Sequence, residues 1–159
     1  MQSNFRFCAL VLAVSLWGCA QRVMPPPLLT PPGPDPQITL NISSTVVPGY
    51  LKTYGSNGHL YYYQFTGGNK KRGSLEYKVG DGHSNIHIKL DASSNFAITD
   101  VPIEGNSNHQ LTSTVQNPNM AKISNENTDV VEAYYSVIIM DSAAPSGEII
   151  CDPGIINNR

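Results

Sequence analysis

From Gln37 onward the apolar residues recur at every second position, and that period commits the chain to strands. Ile38, Leu40 and Ile42 alternate with Thr39, Asn41 and Ser43; Ile86, Ile88 and Leu90 alternate with Asn85, His87 and Lys89. Successive side chains of a strand point to opposite faces, so such alternation marks one buried face and one solvated face. A helix would bring its apolar residues back at intervals of three and four, and no segment offers that spacing convincingly. Tyr61, Tyr63 and Phe65 share one face, Leu75, Tyr77 and Val79 another, and Phe96 with Ile98, then Leu111 with Val115, make weaker runs. Val130 to Met140 is apolar on nearly both faces, as expected of a central strand, and Gly147 to Cys151 closes the series.

Turn residues punctuate these runs: Gly55-Ser56-Asn57-Gly58, Gly67-Gly68-Asn69, Gly80-Asp81-Gly82, Asn117-Pro118 and Pro145-Ser146-Gly147. Short strands at roughly ten-residue spacing predict an all-β fold, an antiparallel β-sandwich of about seven to eight strands, immunoglobulin-like or similar. The solvated faces are rich in Asn, Ser and Thr, and charged residues are only 14% of the chain. A formal charge of −2 argues against a basic nucleic-acid-binding protein and against an acidic low-complexity chain.

The segment before Gln37 reads differently. Arg6 precedes an apolar run from Phe7 to Trp17, too short for a bilayer-spanning helix but suited to a signal peptide. Pro25 to Pro36 is dominated by proline, which favours an extended, semi-rigid spacer. Leu16-Trp17-Gly18-Cys19 resembles the lipobox of bacterial lipoprotein precursors. That resemblance implies a diacylated Cys19 at the new N-terminus, and Ala20 after it implies sorting to the outer membrane. Plain secretion, with Gly18 and Ala20 framing a small-x-small cleavage site, is the other reading of the same residues. The expected organisation is a signal peptide over 1–18, a palmitate-type lipid anchor and tether over 19–36, and one β-sandwich domain over 37–159.

Chemistry-bearing residues are few. Loss of Cys8 with the signal and acylation of Cys19 leave Cys151 alone, and its apolar neighbours predict a small buried hydrophobe rather than a reactive thiol. His83 and His87 share a strand face but stand about 13 Å apart, too far for one metal ion. His59 and His109 add no established partner, so neither a metal nor another cofactor is expected. Gly67-Gly68-Asn69-Lys70-Lys71-Arg72-Gly73 lacks the Gly-Lys-Ser/Thr ending of a phosphate-binding loop and reads as a hairpin loop. Its three cations could meet anionic glycan or lipid headgroups. Tyr62, pointing away from Tyr61 and Tyr63, is expected on the surface as an aromatic contact. Tyr62, Lys70, Lys71 and Arg72 thus form the candidate binding surface. Glu148 and Asp152 flank Cys151, and Asp129 and Glu132 sit at the start of the long apolar run, but no catalytic motif accompanies them.

At the C-terminal end, Ile123-Ser124-Asn125-Glu126-Asn127 leads into the long run, and Asp141–Gly147 and then Asp152-Pro153-Gly154-Ile155-Ile156-Asn157 follow. This order resembles the close of the bacterial DP-EP family of small β-sandwich proteins, with Asp152-Pro153 as the matching dipeptide. The resemblance implies the sandwich and no catalytic residue. The expectation is therefore an envelope lipoprotein, non-enzymatic, held at the membrane by its N-terminal lipid. Its domain would bind or assemble with an envelope protein or glycan; a small periplasmic enzyme or metal-binding protein is the alternative.

Overall fold

The structure, a computed structural model, describes residues 35–144 and 147–158. The expected signal peptide, the acylated Cys19 and nearly all of the proline tether lie outside the described residues. Eleven strands are present among those described, and no α-helix: the expectation of an all-β chain holds. In chain order they are β1 (Gln37–Ser43), β2 (Leu51–Tyr54), β3 (Leu60–Gly67), β4 (Leu75–Tyr77), β5 (Ser84–Asp91) and β6 (Phe96–Asp100). Then come β7 (Ile103–Glu104), β8 (Leu111–Asn117), β9 (Met120–Asn125), β10 (Val131–Asp141) and β11 (Gly147–Asn158).

Two sheets result, one ordered β2-β3-β1-β5-β9-β8 and the other β4-β11-β10-β6, with β7 also pairing β10. Both are mixed, which corrects the expectation of antiparallel pairing throughout: β1 runs parallel to β5, and β4 runs parallel to β11. The strand count also exceeds the expected seven or eight. β2, β4 and β7 span four, three and two residues, too few to display a period. β4 ends at Tyr77 rather than continuing to Val79, because the Lys78 carbonyl is taken by the Asp81 N–H and by the Asn127 amide. β10 is an interior strand, as its two apolar faces predict.

The alternating residues meet in one core cluster fed by both sheets. Ile38, Leu40, Ile86, Ile88 and Ile123 enter it from the first sheet, and Tyr135, Val137, Ile139, Ile149 and Ile156 from the second. Polar clasps also hold the sheets together within this apolar setting. Asn125 on β9 and Asn158 on β11, both fully buried, exchange amide hydrogen bonds of 3.0 and 3.1 Å. The Tyr135 hydroxyl donates to the Gly73 carbonyl at 2.7 Å, fixing the loop between β3 and β4 to the second sheet.

Candidate functional site

Of the surface expected from the sequence, one part is where it was expected and one is not. Tyr62 is 7% exposed, which corrects its assignment to the surface. Alternation does turn it away from the core cluster that holds Tyr61 and Tyr63. However, β3 is an interior strand, and the register sets Tyr62 between Lys52 on β2 and Ser43 on β1. At this position the ring is covered although it faces away from the core.

Lys70, Lys71 and Arg72 are exposed. Lys70 Nζ pairs with Glu76 at 2.7 Å, while Arg72 adopts φ 58, a left-handed conformation uncommon for a long side chain. Arg72 lines a small pocket of about 60 Å³ with Gly49, Leu51, Gln64 and Phe65; Tyr62 does not reach it. The structure thus separates the expected aromatic contact from the basic loop.

The remaining candidates fall as follows. Cys151 is free and fully buried, and burial pushes its thiol pKa up, as suits a core hydrophobe. His83 faces Glu126 at 4.0 Å and His87 faces Asp35 at 3.9 Å, on separate partners. No group of three or more His, Cys, Asp or Glu side chains converges among the described residues. Asp129 caps locally, accepting hydrogen bonds from the Val130 N–H and the Asn108 amide.

A different site lies at the opposite end of β3, where β2 runs beside β11. Thr53 Oγ1 donates to the Ile150 carbonyl at 3.1 Å; the Ser56 N–H donates to the Glu148 carbonyl at 2.8 Å, and the Glu148 N–H to Ser56 Oγ at 3.1 Å. These bonds cover backbone groups of β11 that β4, paired only with its far end, leaves open. Above them runs an open groove of about 390 Å³ lined by Thr53, Tyr54, Ser56, Glu148, Ile150 and Asp152. Tyr54 is 72% exposed and Ile150 49%, an apolar platform between two exposed carboxylates. Neither Glu148 nor Asp152 has a cationic partner among the described residues.

Beneath the groove a buried network holds the loops in place. Asp141, buried, accepts from the Tyr61 hydroxyl at 3.1 Å, the Asn95 amide at 2.6 Å and the Ala143 N–H at 2.9 Å. The Asn57 amide donates to the Tyr61 oxygen at 3.2 Å. Burial raises the Tyr61 pKa; the Asn57 bond works against that rise and Asp141 adds to it. Gly55 and Gly147 close the arrangement, since a Cβ on either would lie 2.7–2.8 Å from Asn57. Sequence reading singled out the two acids but not Tyr54, Ser56 or Ile150. Their proximity depends on pairing across more than ninety residues, and no local pattern signals it.

No protein-family model matches the chain, and no curated protein matches it significantly.

Proposed function

We propose that this chain is a lipid-anchored protein of the bacterial envelope, sited at the outer membrane, whose β-sandwich domain binds a glycan without transforming it. The anchor rests on the lipobox-like Leu16–Cys19 and the proline spacer that follows. The sandwich reading rests on the single core into which both sheets send their alternating residues.

The observation that carries the binding role is the groove between β2 and β11. Its exposed Tyr54 ring offers the flat apolar face on which a sugar ring stacks. Glu148 and Asp152, free of cations, can accept hydrogen bonds from sugar hydroxyls on either side. Its volume of about 390 Å³ falls in the range of ordinary ligand sites. The backbone positions of Glu148 and Asp152 stand about 13 Å apart along the strand, against the roughly 5–9.5 Å between carboxyl groups that flank a glycosidic bond. That spacing favours recognition over hydrolysis.

The test is in-cell photo-crosslinking from position 54, with position 114 on β8 as the control, followed by mass spectrometry. Glycan adducts at 54 in clear excess over 114 are expected. Protein adducts alone, or equal yields at the two positions, would refute the glycan reading. Radiolabelled palmitate incorporation lost on Cys19→Ala checks the anchor separately.

A further inference from the structure

We propose that the end of the domain bearing Lys71 and Arg72 rests on an anionic phospholipid surface, turning the Tyr54–Glu148 groove away from the membrane. This rests on the lipid-anchored reading above and adds an orientation to it.

The argument starts where the tether reaches the domain. Asp35 Oδ1 accepts the Asn85 N–H at 2.9 Å, the Pro36 carbonyl accepts the His87 N–H at 3.0 Å, and the Gln37 carbonyl accepts the Gly68 N–H at 3.0 Å. The last tether residues are therefore bonded to the start of β5, and Gln37, the first residue of β1, to the start of the basic loop. The approach is close enough to require glycine: a Cβ on Gly67 would lie 2.3 Å from the Gln37 oxygen. At its other end the loop is held by the Tyr135 hydroxyl on the Gly73 carbonyl. Lys71 and Arg72 thus project from a loop pinned at both ends, beside the point from which any membrane anchor must pull.

Of the acids at this end, Glu76 pairs with Lys70, Asp35 and Glu126 lie 3.9 and 4.0 Å from His87 and His83, and Asp81 sits in the turn after Lys78. Asp129 and Glu132, where β10 begins, accept from the Asn108 amide and the Tyr134 hydroxyl. Among the described residues, no carboxylate comes within 4.0 Å of Lys71 or Arg72. The groove lies toward the Leu60 end of β3, roughly 23 Å along the strand from Gly67 at about 3.3 Å per residue, while Arg72 reaches Gln64 and Phe65 midway along it.

Sixteen tether residues from Cys19 to Pro34 can reach about 50 Å, whereas surface charge is felt over only about 8 Å at physiological salt. The tether therefore permits contact without imposing it, and the cations decide. Each Lys or Arg near an anionic leaflet favours the docked arrangement about fivefold, so the pair favours it about thirtyfold.

The test is amine acetylation footprinting of the purified mature protein on vesicles, read by mass spectrometry as Lys71 modification relative to exposed Lys52. The vesicles are phosphatidylcholine alone or with phosphatidylglycerol. Several-fold protection of Lys71 is expected only with phosphatidylglycerol, reversed by high salt and by Arg72→Gly. Glycine accepts the positive φ at position 72, so that variant keeps the fold; Lys71→Glu, read by vesicle co-sedimentation, gives a second measure. Equal labelling of Lys71 and Lys52 on phosphatidylglycerol by an acylated protein, as shown by its mass, overturns the orientation. If the mass shows no acylation, the anchor reading fails on its own. Salt-sensitive co-sedimentation of that protein with phosphatidylglycerol vesicles, lost in Lys71→Glu, then supports the contact, and its absence overturns it.

Discussion

Cys151 shows how far a single residue's environment could be anticipated. It sits in Ile149-Ile150-Cys151 on a strand, and alternation puts positions 149 and 151 on the same face. Both are fully buried there, and desolvation of the thiolate, with a smaller contribution from Asp152, holds the thiol protonated. The native protein should therefore resist iodoacetamide at pH 8 for as long as it stays folded, and react at the rate of a free thiol in urea. Rapid native alkylation at Cys151 would mean that β11 opens far more readily than its pairing implies. Tyr62 is the instructive contrast. The same alternation correctly separated it from Tyr61 and Tyr63, yet its exposure was misjudged. Period two assigns a side chain to a face; the neighbouring strands decide how much water that face sees.

At the scale of elements, the alternating runs of β1, β3, β5 and β10 were legible because each is long enough to repeat its period. Pairing was not legible. Nothing local in Gln37–Ser43 says that it lies parallel to Ser84–Asp91, since a parallel partner presents the same alternation as an antiparallel one. The polar clasp between β9 and β11 was equally hidden. Asn125 and Asn158 look like ordinary strand-end residues, but they meet inside the core and satisfy each other's amides, and Asn125 also accepts the Asn127 N–H at 3.0 Å. Removing one partner strands the other's donor and acceptor in a dry site. Asn125→Ala should cost about 2–4 kcal/mol of unfolding free energy, above the usual price of one net hydrogen bond. Asn158→Ala should cost less, because it leaves the Asn127 bond intact. In urea titrations the double variant should be less destabilised than the sum of the singles, by about 1–2 kcal/mol. Strict additivity would show that the two amides stabilise the sheets independently.

At the scale of the whole molecule, the two ends have different chemistry. One bears Lys71 and Arg72, with no carboxylate within 4.0 Å among the described residues; the other has an exposed Tyr54 between Glu148 and Asp152, the latter accepting from the Ser136 hydroxyl at 2.6 Å. Between them runs a core in which four phenols and one thiol share one property. Tyr61, Tyr63, Tyr77, Tyr135 and Cys151 all have pKa values raised, with burial the largest cause in each. The sign of the consequence follows directly. A group that holds its proton more tightly when folded stabilises the fold fully below its unfolded pKa. That stability is lost as pH climbs from the unfolded value toward the folded one, because the unfolded chain now binds fewer protons. Unfolded cysteine titrates near 8.5 and tyrosine near 10. The urea midpoint should therefore hold up to about pH 8.5, decline gently to about 10 as the thiol alone contributes, and fall steeply beyond it as the tyrosines join. By pH 11 the loss should be on the order of several kcal/mol, since each pH unit between a group's unfolded and folded pKa removes about 1.4 kcal/mol. Cys151→Ala separates the two stages: it should lower stability at neutral pH through lost packing, flatten the decline between about pH 8.5 and 10, and leave the steeper fall in place. A midpoint unchanged up to pH 11 would mean that these phenols reach water in the folded state, and that the core is not the sealed one from which both ends of the molecule are held.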